Sequence, residues 1–298
     1  MKRTVELDPA LVEEAVGLAL RRRGESDPGL LDVWHAEVDP VYRVAPAARE
    51  AAFAALHGRW FERLGFESLV TTALAGHRDT VARLPALALL RAARGDDEGA
   101  DLGAPGPAGR PAAIRVAAAR FADGATLLPF LDRELTRLAD LVDPAFGHVP
   151  DDLDTIPAHR RRLVQRRYRQ AWAASLDGRI ARLGRVPLAG RGAHERALAE
   201  TFPAMAGAGL RRLAQALWSG PRPSHAELFA LASAHAAAPA SAPGAPCPLC
   251  GFPTHAWAKP GAAGVAEAIR RDVPGWREDD GLCDRCLERY AAHSTTAT

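Results

Sequence analysis

The stretch that decides the fold covers residues 127–147 and reads LLPFLDRELTRLADLVDPAFG. Its apolar residues recur at helical spacing, which predicts an amphipathic helix over about 126–142 with one buried face. Asp143-Pro144 ends it, because a residue that precedes proline is disfavoured in the helical conformation. The predicted buried face consists of Leu127, Leu128, Leu131, Leu135, Leu138 and Val142.

Two short apolar runs precede this helix, LPALALLRAA at 84–93 and AAIRVAAARF at 112–121. The segment between them is rich in Gly, Pro and Asp, so the pattern predicts two strands that flank a long loop. The remaining chain up to residue 236 is mostly helical in pattern. Helices are predicted at 8–23 (with Asp8 as N-cap), 46–64, 157–183, 191–201, 204–219 and 224–236 (with a Ser224–Glu227 capping box). The predicted fold class is therefore α+β and predominantly helical, with a small minor sheet.

The letters RELTR at 133–137 differ from the HExxH metal-binding helix only where both histidines are replaced by arginine. With the strands before it, the region of about 85–183 resembles the core of the zincin metallopeptidases. The resemblance implies that Arg133 and Arg137 occupy the positions of the two histidines, and that Glu134 occupies that of the general base. It also implies a third ligand position on a later helix, which Asp177 fills best; Asp143 is the alternative.

Arginine is always protonated and has only hydrogen-bond donors, so it cannot ligate a cation. The resemblance therefore implies a catalytically degenerate zincin-like domain, and no catalytic residues are predicted. One hypothesis is that the two guanidinium groups replace a metal dication and are neutralised by Glu134, Asp140 and Asp177. The alternative is that Arg133, Glu134 and Arg137 belong to the solvated face of an ordinary amphipathic helix.

A second pattern indicates metal binding directly. CPLCG at 247–251 and LCDRC at 282–286 each contain a CxxC pair. Four thiolates suit a tetrahedral zinc ion, and a fully occupied sulfur shell leaves no position for catalysis. The C-P-x-C-G form resembles the first knuckle of zinc ribbons and treble clefs, and the second pair precedes a predicted helix. One structural zinc is predicted, with Cys247, Cys250, Cys283 and Cys286 as ligands and His255 as a neighbour.

Composition sets further bounds on function. The formal net charge of the 298 residues is only +2, so no global field attracts nucleic acid or an anionic membrane. No run approaches the ~20 apolar residues of a membrane span, and the first residues lack the apolar core of a signal peptide. Together with paired cysteines, which suit a reducing compartment, these features predict a cytoplasmic protein.

The predicted domains are a mostly helical domain at 1–236, a Pro/Ala linker at 237–246 and a four-cysteine module at 247–298. These features favour a non-enzymatic zinc-binding accessory or scaffold protein whose partner is another protein. Two alternatives stay open: a nucleic-acid-binding zinc-ribbon protein and an enzyme with an unrecognised site. For the first, HRRRLVQRRYRQAW at 159–172 supplies arginines for phosphates, with Tyr168 and Trp172 as rings that could stack on bases.

Overall fold

The computed structural model describes residues 5–107, 109–150, 152–156, 158–203, 205, 207–234, 243–261, 263–274 and 276–294. Within these ranges the side chains of residues 96, 158, 159, 263, 279, 293 and 294 are left out of the description. The chain divides into two compact units. Unit 1 comprises Met1–Phe146 and Ile180–Leu188, and unit 2 comprises Gly147–Arg179 and Ala189–Thr298.

Unit 1 contains seven helices and one sheet among its described residues. The first helix starts as the sequence predicts: the Asp8 side chain accepts a hydrogen bond from the amide of Ala10 (2.9 Å), and Pro9 occupies the first turn. The helices are α1 (Pro9–Gly24), α2 (Pro28–Tyr42), α3 (Pro46–Arg63), α4 (Phe66–Ala75), α5 (Arg78–Arg83), α6 (Ala119–Ala122) and α7 (Gly124–Leu141).

The sheet of unit 1 has four strands in the order β1-β2-β4-β3. The inner pair is parallel with Leu89 opposite Ile114, and β3 runs antiparallel to β4 with Ala100 opposite the same isoleucine. Both apolar runs before the long helix therefore do form strands, while the loop between them contributes an edge strand that the sequence did not predict. The strands are β1 (Glu6–Leu7), β2 (Leu87–Arg91), β3 (Gly99–Leu102) and β4 (Ala112–Val116).

The core of unit 1 lies between this sheet and the helices, and aromatic rings occupy its centre. The rings of Phe61, Phe66 and Phe121 contact one another with centroids 5.2–5.4 Å apart. The predicted apolar face of α7 is confirmed in its main part, since four of the six predicted residues are fully buried: Leu127, Leu131, Leu135 and Leu138.

The N-terminal part of unit 2 contains α8 (Ala158–Arg182), up to Arg179, and three shorter helices. At Gly178 the helix passes so close to another backbone that an added Cβ would lie 2.3 Å from the carbonyl oxygen of Trp218. The predicted capping box is present, because Ser224 and Glu227 each bond to the other's backbone amide. The shorter helices are α9 (Arg191–Thr201), α10 (Ala208–Ser219) and α11 (His225–Ser233).

The C-terminal part of unit 2 carries two small antiparallel strand pairs and two helices. Strands β5 (Ala245–Pro246) and β6 (Pro253–Thr254) form one pair, and β7 (Trp257–Ala258) and β8 (Leu282–Cys283) form the other. The helices are α12 (Ala263–Asp272) and α13 (Asp284–Ser294).

The prediction of a mostly helical fold with small sheets is confirmed by this architecture. The predicted linker at 237–246 lies outside the described residues over 237–242, so the proposed boundary between a main domain and a module stays a prediction. Among the described residues, every helix is too short or too polar to cross a membrane.

Candidate functional site

The four cysteines form one cluster. Their Sγ atoms all lie within 4.8 Å of one another, and together they form a set of side chains that could hold a metal ion such as zinc. Two of the separations are short: 3.9 Å between Cys247 and Cys286, and 3.7 Å between Cys250 and Cys283. The cysteines are thus brought together across more than thirty residues of chain.

The local backbone structure brings the two thiols of each CxxC pair close together. Cys247 and Cys250 lie in the turn between β5 and β6, where the amide of Gly251 donates to the carbonyl of Cys247 (2.8 Å). Gly251 has φ +76°, a left-handed conformation that favours glycine. Cys283 ends β8, and Cys286 lies in the first turn of α13, as the sequence predicts for the second pair.

The separations match a tetrahedral metal site better than disulfides. A disulfide holds its sulfurs about 2.05 Å apart, and all four cysteines here are free thiols. Zinc at about 2.3 Å from each of four sulfurs would separate neighbouring sulfurs by about 3.8 Å. The two short distances, 3.7 and 3.9 Å, agree with that value.

The electrostatics of the cluster also suit a cation. Burial acts to raise the pKa of the Cys247 thiol, but amide hydrogen bonds from Cys283, Cys250 and Leu249 outweigh it and hold that pKa below the usual value. Burial raises the pKa of both Cys283 and Cys286. The Cys247 thiolate is therefore favoured over that of Cys283 or Cys286, and a bound metal would supply the positive charge that stabilises the latter two.

The cysteines are part of a small apolar core. Cys247, Cys283 and Cys286 are buried among side chains of α12 and α13 and of the segment between them, and Cys250 is exposed. Trp276 belongs to the same core, is 3% exposed and donates its indole N–H to the carbonyl of Gly281 (3.1 Å). The His255 side chain is exposed, and the group of possible ligands consists of the four thiols.

The RELTR cluster in unit 1 has a different chemistry. Glu134 is 1% exposed, and its carboxylate accepts from Arg133 Nε (3.3 Å), from Arg137 Nη1 (3.1 Å) and from the amide of Ala100 (2.8 Å). The side chains of the two arginines are mostly buried, 19% and 16% exposed. The prediction that these residues form a merely solvated helix face is therefore wrong.

The partners of Glu134 tie helix α7 to the edge of the sheet, since Ala100 lies on β3. Gly99 leaves room for this contact: an added Cβ would lie 3.2 Å from Arg137 Nη1 and 3.7 Å from Glu134 Oε2. A general base needs an acceptor oxygen free to take a proton. Here both carboxylate oxygens already accept from neighbouring donors, so the arrangement favours an architectural role for Glu134.

No protein-family model, curated protein or solved structure matches this chain. The zincin resemblance accordingly rests on the residues 127–147 and on the strands before them. What the molecule shows independently is the four-cysteine cluster and the buried arginine–glutamate cluster.

Asp177, the predicted third ligand position, belongs to unit 2, whereas the RELTR cluster belongs to unit 1. Its carboxylate is fully buried and accepts from His194 Nε2 (2.7 Å) and from the amide of Ala189 (3.1 Å). Sequence patterns did not indicate His194 as the partner of Asp177, because it lies seventeen residues away in another helix. Asp177 thus links α8 to α9 and to Ala189, which precedes α9.

A further polar cluster that the sequence did not predict surrounds His225 at the start of α11. Its Nε2 lies 2.8 Å from Asp152 Oδ2, and its Nδ1 lies 2.8 Å from the hydroxyl of Tyr168. Trp172, whose ring contacts that of Tyr168 on α8, is 6% exposed. The two rings predicted to stack on bases are therefore engaged within unit 2.

Proposed function

We propose that this chain is a non-enzymatic zinc-binding protein that acts through protein contacts as an accessory or scaffold. The observation that carries the proposal is the cluster of four free thiols with Sγ atoms within 4.8 Å of one another. Four sulfur ligands complete the coordination of zinc, so the ion would stabilise the structure and leave no open position for substrate. Cys247 and Cys250 lie in the turn between two strands, and Cys283 and Cys286 lie at the start of a helix. This arrangement also supports a treble clef.

The proposal includes a zincin-like ancestry for the region around α7. The support is the sequence of α7, the strands before it and the position of its Glu134 beside an edge strand. Arg133 and Arg137 cannot bind metal, and they neutralise the glutamate that would otherwise activate water. In this proposal the former catalytic helix has become part of the core.

Metal analysis of the purified chain tests the zinc assignment. We expect one zinc per chain, lost on Cys247→Ser or Cys286→Ser and retained on His255→Ala, because His255 is exposed and lies outside the ligand group. A chain without zinc would overturn the proposal. A second zinc that survives both cysteine substitutions would show a separate metal site and favour an enzyme.

A hydrolysis assay tests the non-enzymatic part. The chain is incubated with unstructured protein and with a peptide library, alongside Glu134→Gln, which preserves shape and removes the basic carboxylate. We expect no turnover from either protein. Cleavage by the natural chain that disappears in Glu134→Gln would show that the RELTR cluster is catalytic, and would refute the proposal.

A further inference from the structure

One face of helix α8 presents a row of exposed arginines. Arg162, Arg166 and Arg169 are exposed and follow the i, i+4, i+7 spacing of a single helix face. With a rise of about 1.5 Å per residue, Arg162 and Arg166 lie about 6 Å apart along the helix axis, and Arg166 and Arg169 lie about 4.5 Å apart. We call these three residues the arginine row.

The other arginines in the same segment have partners inside unit 2. Arg160 donates to the carbonyl of Ser233 (3.4 Å), Arg161 pairs with Asp154 (3.4 Å), and Arg167 donates to the carbonyl of Thr201 (3.1 Å). Within the part of the chain that the structure describes, no hydrogen bond or ion pair joins the arginine row to a carboxylate.

Such a row has an unfavourable energy in the free protein. Like charges at i, i+4 on a helix repel each other and destabilise it. Carboxylates from another molecule would remove the repulsion and would form bidentate contacts with guanidinium groups. The row therefore has the charge and geometry of a docking surface for an anionic partner.

The surroundings favour a protein partner over nucleic acid. Val164, Ala171 and Trp172 are buried, so one face of α8 packs within unit 2 and the arginine row lies on its exposed face. Tyr168 is bonded to His225, and Trp172 is 6% exposed, so neither ring offers a stacking face to single-stranded bases. A helix with Glu or Asp at i, i+4 and i+7 repeats the axial spacing of the row.

We propose that the arginine row of α8 binds an acidic helical segment of a partner protein. The inference rests on the proposed action through protein contacts and names the chemistry of the partner. It is independent of the zinc assignment, because the row is formed by one helix and includes none of the cysteines.

The test uses the full zinc-loaded chain and a fluorescent, end-capped helical peptide with glutamates at i, i+4 and i+7. A second peptide of the same composition distributes its glutamates around the helix. We expect tighter binding of the first peptide in fluorescence anisotropy, weakening with added salt. Replacing the row by R162Q/R166Q/R169Q should weaken binding roughly tenfold, as expected for three exposed ion pairs.

A matched variant separates a specific surface from general positive charge. R196Q/R211Q/R212Q removes three exposed arginines of α9 and α10 in the same unit, and should leave peptide affinity unchanged. Equal losses in both variants, equal affinity for both peptides, or no peptide binding would overturn the inference. Tighter binding of a DNA or RNA oligonucleotide that depends on the row would replace the protein partner by nucleic acid.

Zinc content measured on the same preparation distinguishes the two proposals. A chain that holds one zinc but does not bind the acidic peptide contradicts the arginine-row inference alone. A chain that binds the peptide but holds no zinc contradicts the zinc assignment alone.

Discussion

The four-cysteine cluster and the RELTR cluster are both polar groups packed among apolar side chains, but they differ in how charge is balanced. Glu134 has two arginines and a backbone amide as partners, so its negative charge is compensated within the protein. Among the described contacts, the thiols have only backbone amides and one another. The first cluster is complete without a ligand, whereas the second needs a cation to hold several thiolates together.

The comparison shows why similarity to a metal-binding motif and ability to bind metal are separate questions. RELTR lies on a helix and has a glutamate at the same position as HExxH, yet its arginines pair with that glutamate and cannot ligate a cation. The CxxC pairs share no helix and lie more than thirty residues apart, yet their sulfurs lie within 4.8 Å of one another and two of the separations match a tetrahedral site. Ligand chemistry and charge balance decide the difference.

Removing the cation should therefore affect the two clusters very differently, and this is the largest effect we expect. Structural zinc contributes about 10–16 kcal/mol of apparent binding free energy in small zinc modules. A strong chelator should unfold the segment that contains α12 and α13, and should leave the β2–β4 ladder of unit 1 protected. Hydrogen exchange followed by mass spectrometry measures both regions in one sample.

Cys247→Ser should reproduce the effect of the chelator without any added reagent. The control is His255→Ala, which alters an exposed side chain of the same segment and should preserve amide protection in α12. If the α12 amides stay equally protected in the chelator, the thiols are held together by the protein alone and the comparison fails.

Removing the carboxylate of the RELTR cluster is the corresponding experiment in unit 1. Glu134→Ala leaves two mostly buried arginines without their shared partner, and breaking a buried ion pair costs about 3–5 kcal/mol. The free energy of unfolding from urea titration should fall by that amount. Glu134→Gln should recover part of it, since the amide oxygen still accepts from Ala100.

The matched control is Glu14→Ala, whose ion pair with Arg91 is exposed on both sides (44% and 46%). Such pairs contribute about 0–1 kcal/mol, so this variant should be nearly neutral. If Glu134→Ala lowers the free energy of unfolding no more than Glu14→Ala does, the ion pairs of Glu134 with Arg133 and Arg137 do not stabilise the fold.

A smaller effect is expected at the glycine that makes room for the RELTR cluster. Gly99 has φ +146°, and an added Cβ would lie 3.2 Å from Arg137 Nη1. Gly99→Ala should lower the free energy of unfolding by about 1–3 kcal/mol, the usual range for a residue held in a disfavoured backbone conformation. Gly95→Ala is the control, because an added Cβ there meets no atom within 4 Å. Equal effects at both positions would show that Gly99 is not needed for the contact.

Much of the fold followed from the sequence because its signals are local. Asp8-Pro9 marks the start of α1, and Ser224 with Glu227 marks the start of α11; both caps form as predicted. The leucine spacing of α7 likewise identified its buried face. The two CxxC pairs identified the four-cysteine cluster because ligand type and spacing carry the information.

Contacts between distant segments were not predicted from the sequence. Strand β3 has the composition of a loop, and it is a strand because it pairs with β4. The carboxylate of Glu134 finds its amide on that strand, thirty-four residues away. Asp177 and His194 meet across two helices in the same way. Periodicity and capping signals each describe a single helix or strand, so they do not predict which distant residues come into contact.

The smallest predicted effect concerns a second carboxylate next to the RELTR cluster. Burial acts to raise the pKa of Glu98, but hydrogen bonds from Arg120 (2.6 and 2.7 Å) and from the amide of Ala117 outweigh it, and the pKa lies below the usual value. Glu98 therefore stabilises unit 1 above the unfolded pKa of about 4.3, and this stabilisation is lost as the pH falls through the lower, folded pKa.

Glu98→Gln should accordingly flatten the acid side of the stability profile, measured as amide protection of β2 and β4 from neutral pH to below pH ~4. Leu135→Ala is the control: it should lower stability by about 2–5 kcal/mol at every pH, because it removes packing and no titrating group. Following amides of unit 1 separates this effect from acid-driven loss of zinc at the cysteines. If stability falls with decreasing pH as steeply in Glu98→Gln as in the natural chain, the contact with Arg120 does not stabilise the ionised form of Glu98.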